Sequence, residues 1–321
     1  MPADHDSDVT IAMVLAAGRG SRLRPLSNTL PKPALPLPGG PVIGWSLRQA
    51  VAAGVRRTVV NTWWLAEAME KAVLSAAPSE LQLAFSREKD LMETAGGLAL
   101  ARDRGLLDGK GPILVVNGDG ILNLDLDPVL SRHAASGDEV TLALLPHLAP
   151  ERWSRVFLDG NGFVKTIRSP GLPKTGEVPL LYPGVMLVSR TALAALPSLP
   201  CGAASALWEP AMERGRLGGV VVSGHWREVG TPNDYLEAVL ALLGDRGVFE
   251  PDARIHPDAH VGRAYVGTRV EISKGAVIGD SVISHGVSVG AGAKVIRSVL
   301  LGRLQIRPGE TVVDDFRSAD I

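Results

Sequence analysis

A single cysteine, Cys201, leaves the chain no internal disulfide. It sits in a Pro-Cys-Gly turn without a histidine near it in sequence, so its thiol is read as inert. No apolar run reaches the roughly 18 residues needed to span a bilayer, which argues against a membrane helix. An excess of charge is missing as well: the formal net charge of −1 argues against nucleic acid or an anionic membrane as a bulk partner. Residues 1–8 are acidic where a signal peptide would be basic; they are expected to form a disordered tail, and the expected compartment is the cytoplasm. Among the histidines only His256 and His260 stand four apart, and Pro257 between them denies the shared helical face that a zinc pair needs.

With 321 residues, 45% of them apolar, the chain has material for a sizeable core and two domains. The residues from Val9 to Leu15 form an apolar run that reads as a buried first strand, broken by Gly18 and Gly20. By Pro33 the chain has added Arg19, Arg22, Arg24 and Lys32, so backbone amides and cations share one loop at a strand's C-terminal end. Such a loop is suited to polyphosphate. It lacks the Lys-Ser or Lys-Thr of a P-loop, and Leu23 replaces the third glycine of a dinucleotide fingerprint.

Downstream, strand-like and helix-like stretches alternate: helix over 42–53, strand 55–61, helix 66–77, strand 81–85, helix 97–104 and strand 112–116, followed by less regular strands over 140–222 with a further helix over 203–214. The pattern implies a doubly wound, mostly parallel α/β sheet with ligands at the C-terminal strand ends. Asp119 follows one such end in Asn117-Gly118-Asp119, where a carboxylate suits a metal between phosphates or, more simply, a turn. In Leu91-Met-Glu-Thr-Ala-Gly-Gly97 glycines allow close backbone approach, and Thr94 is a candidate helix cap. Trp63, Trp64, Trp153 and Trp208 read as packing residues.

Past Gly247 the texture changes. Aliphatic residues recur every five or six positions from Ile255 to Val312, a repeat of 17 residues, with small residues such as Ala276, Ser281 and Ala293 two positions earlier. This is the hexapeptide pattern of a short left-handed parallel β-helix. Too few coils are present to cap themselves, so packing on the first domain or a homo-oligomer is expected.

The string from Gly18 to Pro33 resembles the signature loop of the sugar-1-phosphate nucleotidyltransferases, also called nucleotide-sugar pyrophosphorylases, with Ser27 where the family usually has Thr. The resemblance covers about residues 10–245 and implies a nucleotidyltransferase domain over 9–247, followed by the β-helix over 248–321. It implies an enzyme that joins a nucleoside triphosphate, uridine or guanosine, to a sugar 1-phosphate with release of pyrophosphate, using Mg2+. It assigns catalytic roles to Arg22 and Lys32, nucleotide binding to Leu15, Ala16, Ala17, Gly18, Gly20, Ser21, Glu93, Gly96 and Gly97, sugar-phosphate binding to Asn117 and Gly184, and the metal to Asp119 and Glu228. Glu228 stands where the family usually has Asp, and the common Glu-Lys-Pro is replaced by Arg168-Ser169-Pro170. The pattern Glu93-Thr-Ala-Gly-Gly97 with His225-Trp-Arg-Glu-Val-Gly-Thr231 and no Glu-Lys-Pro is similar to the N-acetylmuramate 1-phosphate uridylyltransferases, with the bacterial mannose-1-phosphate guanylyltransferases as the close competitor. Two other readings stay open: a catalytically silent nucleotide-sugar-binding regulator, and an acyltransferase using His256, His260 or His285. Because the repeat supplies no phosphate ligand by resemblance, a chain ending near Gly247 is expected to keep its chemistry.

Overall fold

The protein is described from a computed structural model covering residues 9–320, so the N-terminal tail expectation lies outside the described residues. The described chain packs as two compact units. One comprises the residues up to Gly18 with Trp45–Ala66 and Ala77–Trp226; the other comprises Arg19–Gly44, Glu67–Ala76 and the chain from Arg227 onward.

The first unit is built on a sheet whose strands are β1 (Ile11–Leu15), β4 (Arg57–Thr62), β5 (Gln82–Arg87), β6 (Ile113–Asn117), β8 (Val140–Pro146), β9 (Arg155–Leu158), β10 (Val164–Arg168), β11 (Leu180–Leu181), β12 (Val185–Val188) and β13 (Leu217–Val221). Their order is β10-β9-β11-β8-β12-β6-β1-β4-β5, with β13 beside β8. Continuous apolar strands such as Met13-Val14, Val59-Val60 and Val115-Val116 are fully buried, as strands covered on both faces must be. Pairing is parallel among β6, β1, β4 and β5 and between β13 and β8. It is antiparallel from β6 through β12, β8, β11 and β9 to β10. The sheet is therefore mixed: the part read from sequence as βαβ units is parallel, and β13 adds one further parallel pair beside β8.

Two helices sit differently from the sequence expectation. Helix α3 runs from Glu93 to Asp103, not from Gly97, and Thr94 is no cap: the N-cap is Met92, without a side-chain hydrogen bond. The single helix expected over 203–214 is a π-turn, Ala204–Trp208, followed by Glu209–Glu213. Pro210 explains the break, since it brings no amide to an α-helical ladder. Strand β7 (Gly120–Leu124) and helix α4 (Asp127–Ser136) were not anticipated.

Helix α4 carries a buried histidine with a pH consequence. The Thr141 hydroxyl donates to Asp138 Oδ2 at 3.0 Å, so at 2.8 Å it accepts from His133 Nδ1–H. Arg132 also donates to Asp138 Oδ2, at 2.9 Å. Burial pushes the His133 imidazole below its ordinary range, against a smaller upward pull from Asp138. The unfolded chain therefore binds that proton at higher pH than the folded chain, and stability falls as pH drops through about 6.5. Melting temperatures should decline between about pH 7.5 and pH 5.5, and His133→Gln should flatten that slope. An unchanged slope in the variant would remove His133 from the pH response.

The second unit holds the basic loop, the hairpin β2 (Pro36–Leu37) with β3 (Gly40–Pro41), helix α7 (Pro232–Leu243) and the repeat. Helix α7 is fixed at its start by a reciprocal capping box between Thr231 and Asp234, with Pro232 at its first position. Its Tyr235, fully buried, donates its hydroxyl to the Pro36 carbonyl. In the repeat the chain visits three parallel sheets in rotation, the path of a parallel β-helix: Tyr265 pairs with Val282, Val282 with Val299, and Val299 with Phe316. Ile272, Ile278, Ile283, Val289, Val295, Leu300, Ile306 and Val312 fill the interior, with Ala264, Ala276 and Ala293 buried among them. The 17-residue period recurs on the outside, where Arg263 pairs with Asp280 and Arg297 with Asp314. Arg297 also reaches Glu237 of α7 at 3.2 Å, tying that helix to the coil.

Candidate active site

In the first unit, three strand ends meet. Leu15 lies in register with Asn61 on one side and Asn117 on the other, so β1, β4 and β6 finish together. The turn after β6 is anchored by two backbone bonds: Gly118 N–H donates to the Leu15 carbonyl at 2.8 Å, and Asn117 N–H donates to the Gly184 carbonyl at 2.8 Å. Gly184 has φ +90°, and a Cβ there would stand 2.7 Å from the Asn117 side chain, so only glycine fits. The structure thus brings Leu15, Asn117 and Gly184 together and places half-buried Asp119 directly after them.

Ala16 and Ala17 are buried, whereas Gly18 is exposed with open space around its Cα. The Ala16 amide is already used: it donates to Asn61 Oδ1 at 2.8 Å. Asn61 in turn donates from Nδ2 to Glu88 Oε1 at 2.7 Å, and Glu88 Oε2 accepts from the Met92 amide at 2.9 Å. Sequence reading missed both Asn61 and Glu88. Two polar residues ending apolar strands were the only signal for them. Burial pushes the Glu88 carboxyl up, while the Met92 amide, Asn61 and Arg104 pull it back.

The start of α3 is closely held. The Ala95 and Gly96 amides donate to the Cys201 carbonyl at 3.0 and 3.1 Å, which satisfies donors that a helix start leaves open. A Cβ on Gly96 would meet the Leu199 carbonyl at 2.5 Å, so this glycine serves the packing of that segment. Glu93 is exposed and has φ +59°, a left-handed conformation unusual for a side chain of its size. Burial, with the Glu93 carboxylate, pushes the Cys201 thiol up, which fits an unreactive sulfur.

In the second unit the basic loop closes on itself. Gly20 has φ +62°, and a Cβ on it would meet Lys32 Cβ at 3.1 Å. The Ser27 hydroxyl donates to the Gly20 carbonyl at 2.8 Å and is buried, so this hydroxyl holds the loop's shape. Lys32 is 7% exposed, an unusual burial for a lysine, while Ser21 and Arg22 are exposed. Arg22 Nη2 pairs with Glu228 Oε1 at 2.8 Å, its side chain 68% exposed. The far end of the coil supports the same loop: Ser318 donates to the Pro25 carbonyl at 2.8 Å.

Among the described residues no three His, Cys, Asp or Glu side chains cluster as a ready metal site. Magnesium takes one or two carboxylates and completes its shell with waters and substrate phosphates. Half-buried Asp119 at a strand end has the hard oxygen donors that this chemistry asks for. The coil histidines assemble no comparable site: His256 and His260 are exposed, and His285 Nδ1 lies 2.9 Å from Ser284 Oγ.

An α/β sheet with glycine turns at its strand ends, together with a loop of cations, defines an enzyme class that handles phosphorylated nucleotides. The chain belongs to the Nucleotidyl transferase family, which matches residues 11–244. It is similar to the mannose-1-phosphate guanylyltransferase of Mycobacterium tuberculosis, 28% identical over 313 residues that cover 96% of this chain and 83% of that protein. It is 27% identical over 235 residues to the mannose-1-phosphate guanylyltransferase catalytic subunit beta of Danio rerio, covering 72% of this chain and 64% of that one. A shorter, stronger likeness joins it to the N-acetylmuramate alpha-1-phosphate uridylyltransferase of Neisseria meningitidis serogroup B, 45% identical over 115 residues, 36% of this chain and 48% of that one. No helix among the described residues is long and apolar enough to cross a membrane.

Proposed function

We infer that the chain is a sugar-1-phosphate nucleotidyltransferase, forming a nucleoside diphosphate sugar and pyrophosphate from GTP or UTP and a sugar 1-phosphate. The observation that carries this is the family match over residues 11–244, together with the basic loop that the match contains. The sugar phosphate oxygen attacks the α-phosphorus in line, so the protein's task is to position phosphates and offset charge. In this reading Lys32 holds the α-phosphate and Arg22 the departing pyrophosphate. The backbone from Leu15 to Gly18, with Gly20 and Ser21, lies along the triphosphate. Glu93, Gly96 and Gly97 face the nucleotide, and Asn117 with Gly184 the sugar phosphate. Asp119, with Glu228 as second carboxylate, would hold magnesium, which would supply neutralisation of phosphate charge.

The finer structural assignments are supported by pattern. Small residues two before most of the aliphatic positions favour a left-handed coil, and its few turns favour a homo-oligomer. A domain boundary near Gly247, with the phosphate ligands before it and the repeat after it, belongs to the same reading, as does a cytoplasmic location.

Glu228 is paired with Arg22 in the protein alone, so the carboxylates should respond unequally to substitution. Asp119→Asn should lower kcat by about 10³-fold and abolish the magnesium response, while Glu228→Gln should move the magnesium midpoint with a loss of about tenfold. Equal losses from both, or no shift for Glu228→Gln, would contradict that order. The transfer itself is tested by a panel of four nucleoside triphosphates against several sugar 1-phosphates, monitored for pyrophosphate. No release from any pair would overturn the reading in favour of a silent nucleotide-sugar binder.

A further inference from the structure

Two polar side chains near the strand ends have no role in the chemistry above, yet they are more buried than most residues assigned to it. Asn61 is 2% exposed and Glu88 7%. Leaving either without partners would cost a buried polar group its solvation, so their hydrogen bonds carry information about what they hold. Asn61 Oδ1 takes the Ala16 amide, Asn61 Nδ2 gives to Glu88 Oε1, and Glu88 Oε2 takes the Met92 amide. One unbroken chain thus runs from the backbone after β1 to the backbone before α3. Gly97 seats the helix on the middle of that chain: a Cβ there would meet Glu88 Oε1 at 3.0 Å and Asn61 Nδ2 at 3.1 Å. The segments at its two ends are the ones assigned to the nucleotide.

We propose that Asn61 and Glu88 are a matched pair of positioning residues, setting the separation of the Ala16 and Met92–Gly97 backbones so that one nucleoside triphosphate can contact both. The pair rests on the nucleotidyltransferase reading for its ligand. Its geometry makes an unusually specific demand: one side chain must accept on one arm and donate on the other, and its neighbour must accept twice. Glu88→Gln keeps the shape but leaves one acceptor for two donors, so Asn61 Nδ2 or the Met92 amide faces an NH2 group. Asn61→Asp sets two carboxylates against each other across the 2.7 Å contact. Exchanging both restores every bond: the carboxylate at position 61 takes the Ala16 amide and the NH2 of position 88, whose carbonyl takes the Met92 amide.

The test measures nucleoside triphosphate affinity by calorimetry, kcat and KM, and amide hydrogen exchange at Ala16 and Met92, in both single variants and in the double exchange. Each single variant is expected to raise Kd and KM for the triphosphate roughly tenfold, with less effect on kcat, and to speed exchange at those amides. The double exchange is expected to return affinity to within about threefold of the starting protein and to restore amide protection. A double variant as impaired as the worse single one overturns the pair. So does a double variant that binds well but has changed which base it prefers, because Glu88 would then read the base itself. Triphosphate binding without any transfer in the unsubstituted protein would instead sink the transfer reading and leave the pair standing, whereas no triphosphate binding would sink both.

Discussion

Arg22→Ala should lower kcat by about 10²-fold or more while leaving the melting temperature within a degree or two, because the proposed function sets this side chain against charge that builds during the reaction. The physical basis for separating the two readouts is its exposure. In its ion pair with Glu228 the guanidinium side is 68% exposed, and pairs open to water in this way are worth about 0–1 kcal/mol. Removing the guanidinium therefore costs the fold little. A leaving pyrophosphate concentrates negative charge on oxygens that had shared it, and a cation about 4 Å away offsets roughly 4 kcal/mol of it at a protein surface. High salt should weaken the Arg22–Glu228 pair before it weakens the fold. Unchanged kcat in the variant would remove Arg22 from the mechanism.

Truncation after Gly247 should abolish transfer as well as lower stability, which revises what the sequence alone suggests. In the proposed function the repeat adds no phosphate ligand, but it supports the loop that does. The last strand, Phe316–Ser318, packs beside the turn at Leu26–Asn28, and Ser318 holds the Pro25 carbonyl. Helix α7 packs on Ala264–Val266 and Ser281–Ser284 while its Tyr235 grips Pro36. Without the coils, the loop that shapes Gly20 against Lys32 loses its support on that side. A shorter truncation after Asp315 removes only the last strand, and should lower kcat/KM at least about tenfold in a chain whose remaining coils still melt cooperatively. Retention of full activity by either truncation, in steady-state assays, would show that the loop stands without the coil.

How much of this was legible follows from where the signals lay. Buried parallel strands such as Ile113–Asn117 announce themselves as apolar runs, and the 17-residue repeat announces itself as a period; both appear in the structure where the sequence put them. Helix α4 and helix α7 were missed because their polar faces and short flanking loops hid the period, although the Thr231–Pro232–Asp234 capping pattern was there to be read. Thr94 was a reasonable cap by composition, but tertiary contact won: the Cys201 carbonyl, distant in sequence, satisfies the helix start. Ser27 looked like a tolerated replacement and is a buried strut to Gly20. Asn61 and Glu88 were invisible for a related reason, since what matters is which buried donor meets which acceptor, and no spacing rule encodes that.

The most direct measurement follows heavy-oxygen label from the phosphate of a sugar 1-phosphate through one turnover with GTP or UTP, by mass spectrometry of both products. Attack by the sugar phosphate on the α-phosphorus predicts that all label ends in the nucleoside diphosphate sugar and that the pyrophosphate is unlabelled. Label in the pyrophosphate, or no labelled nucleotide sugar with either triphosphate across the sugar panel, would contradict the account.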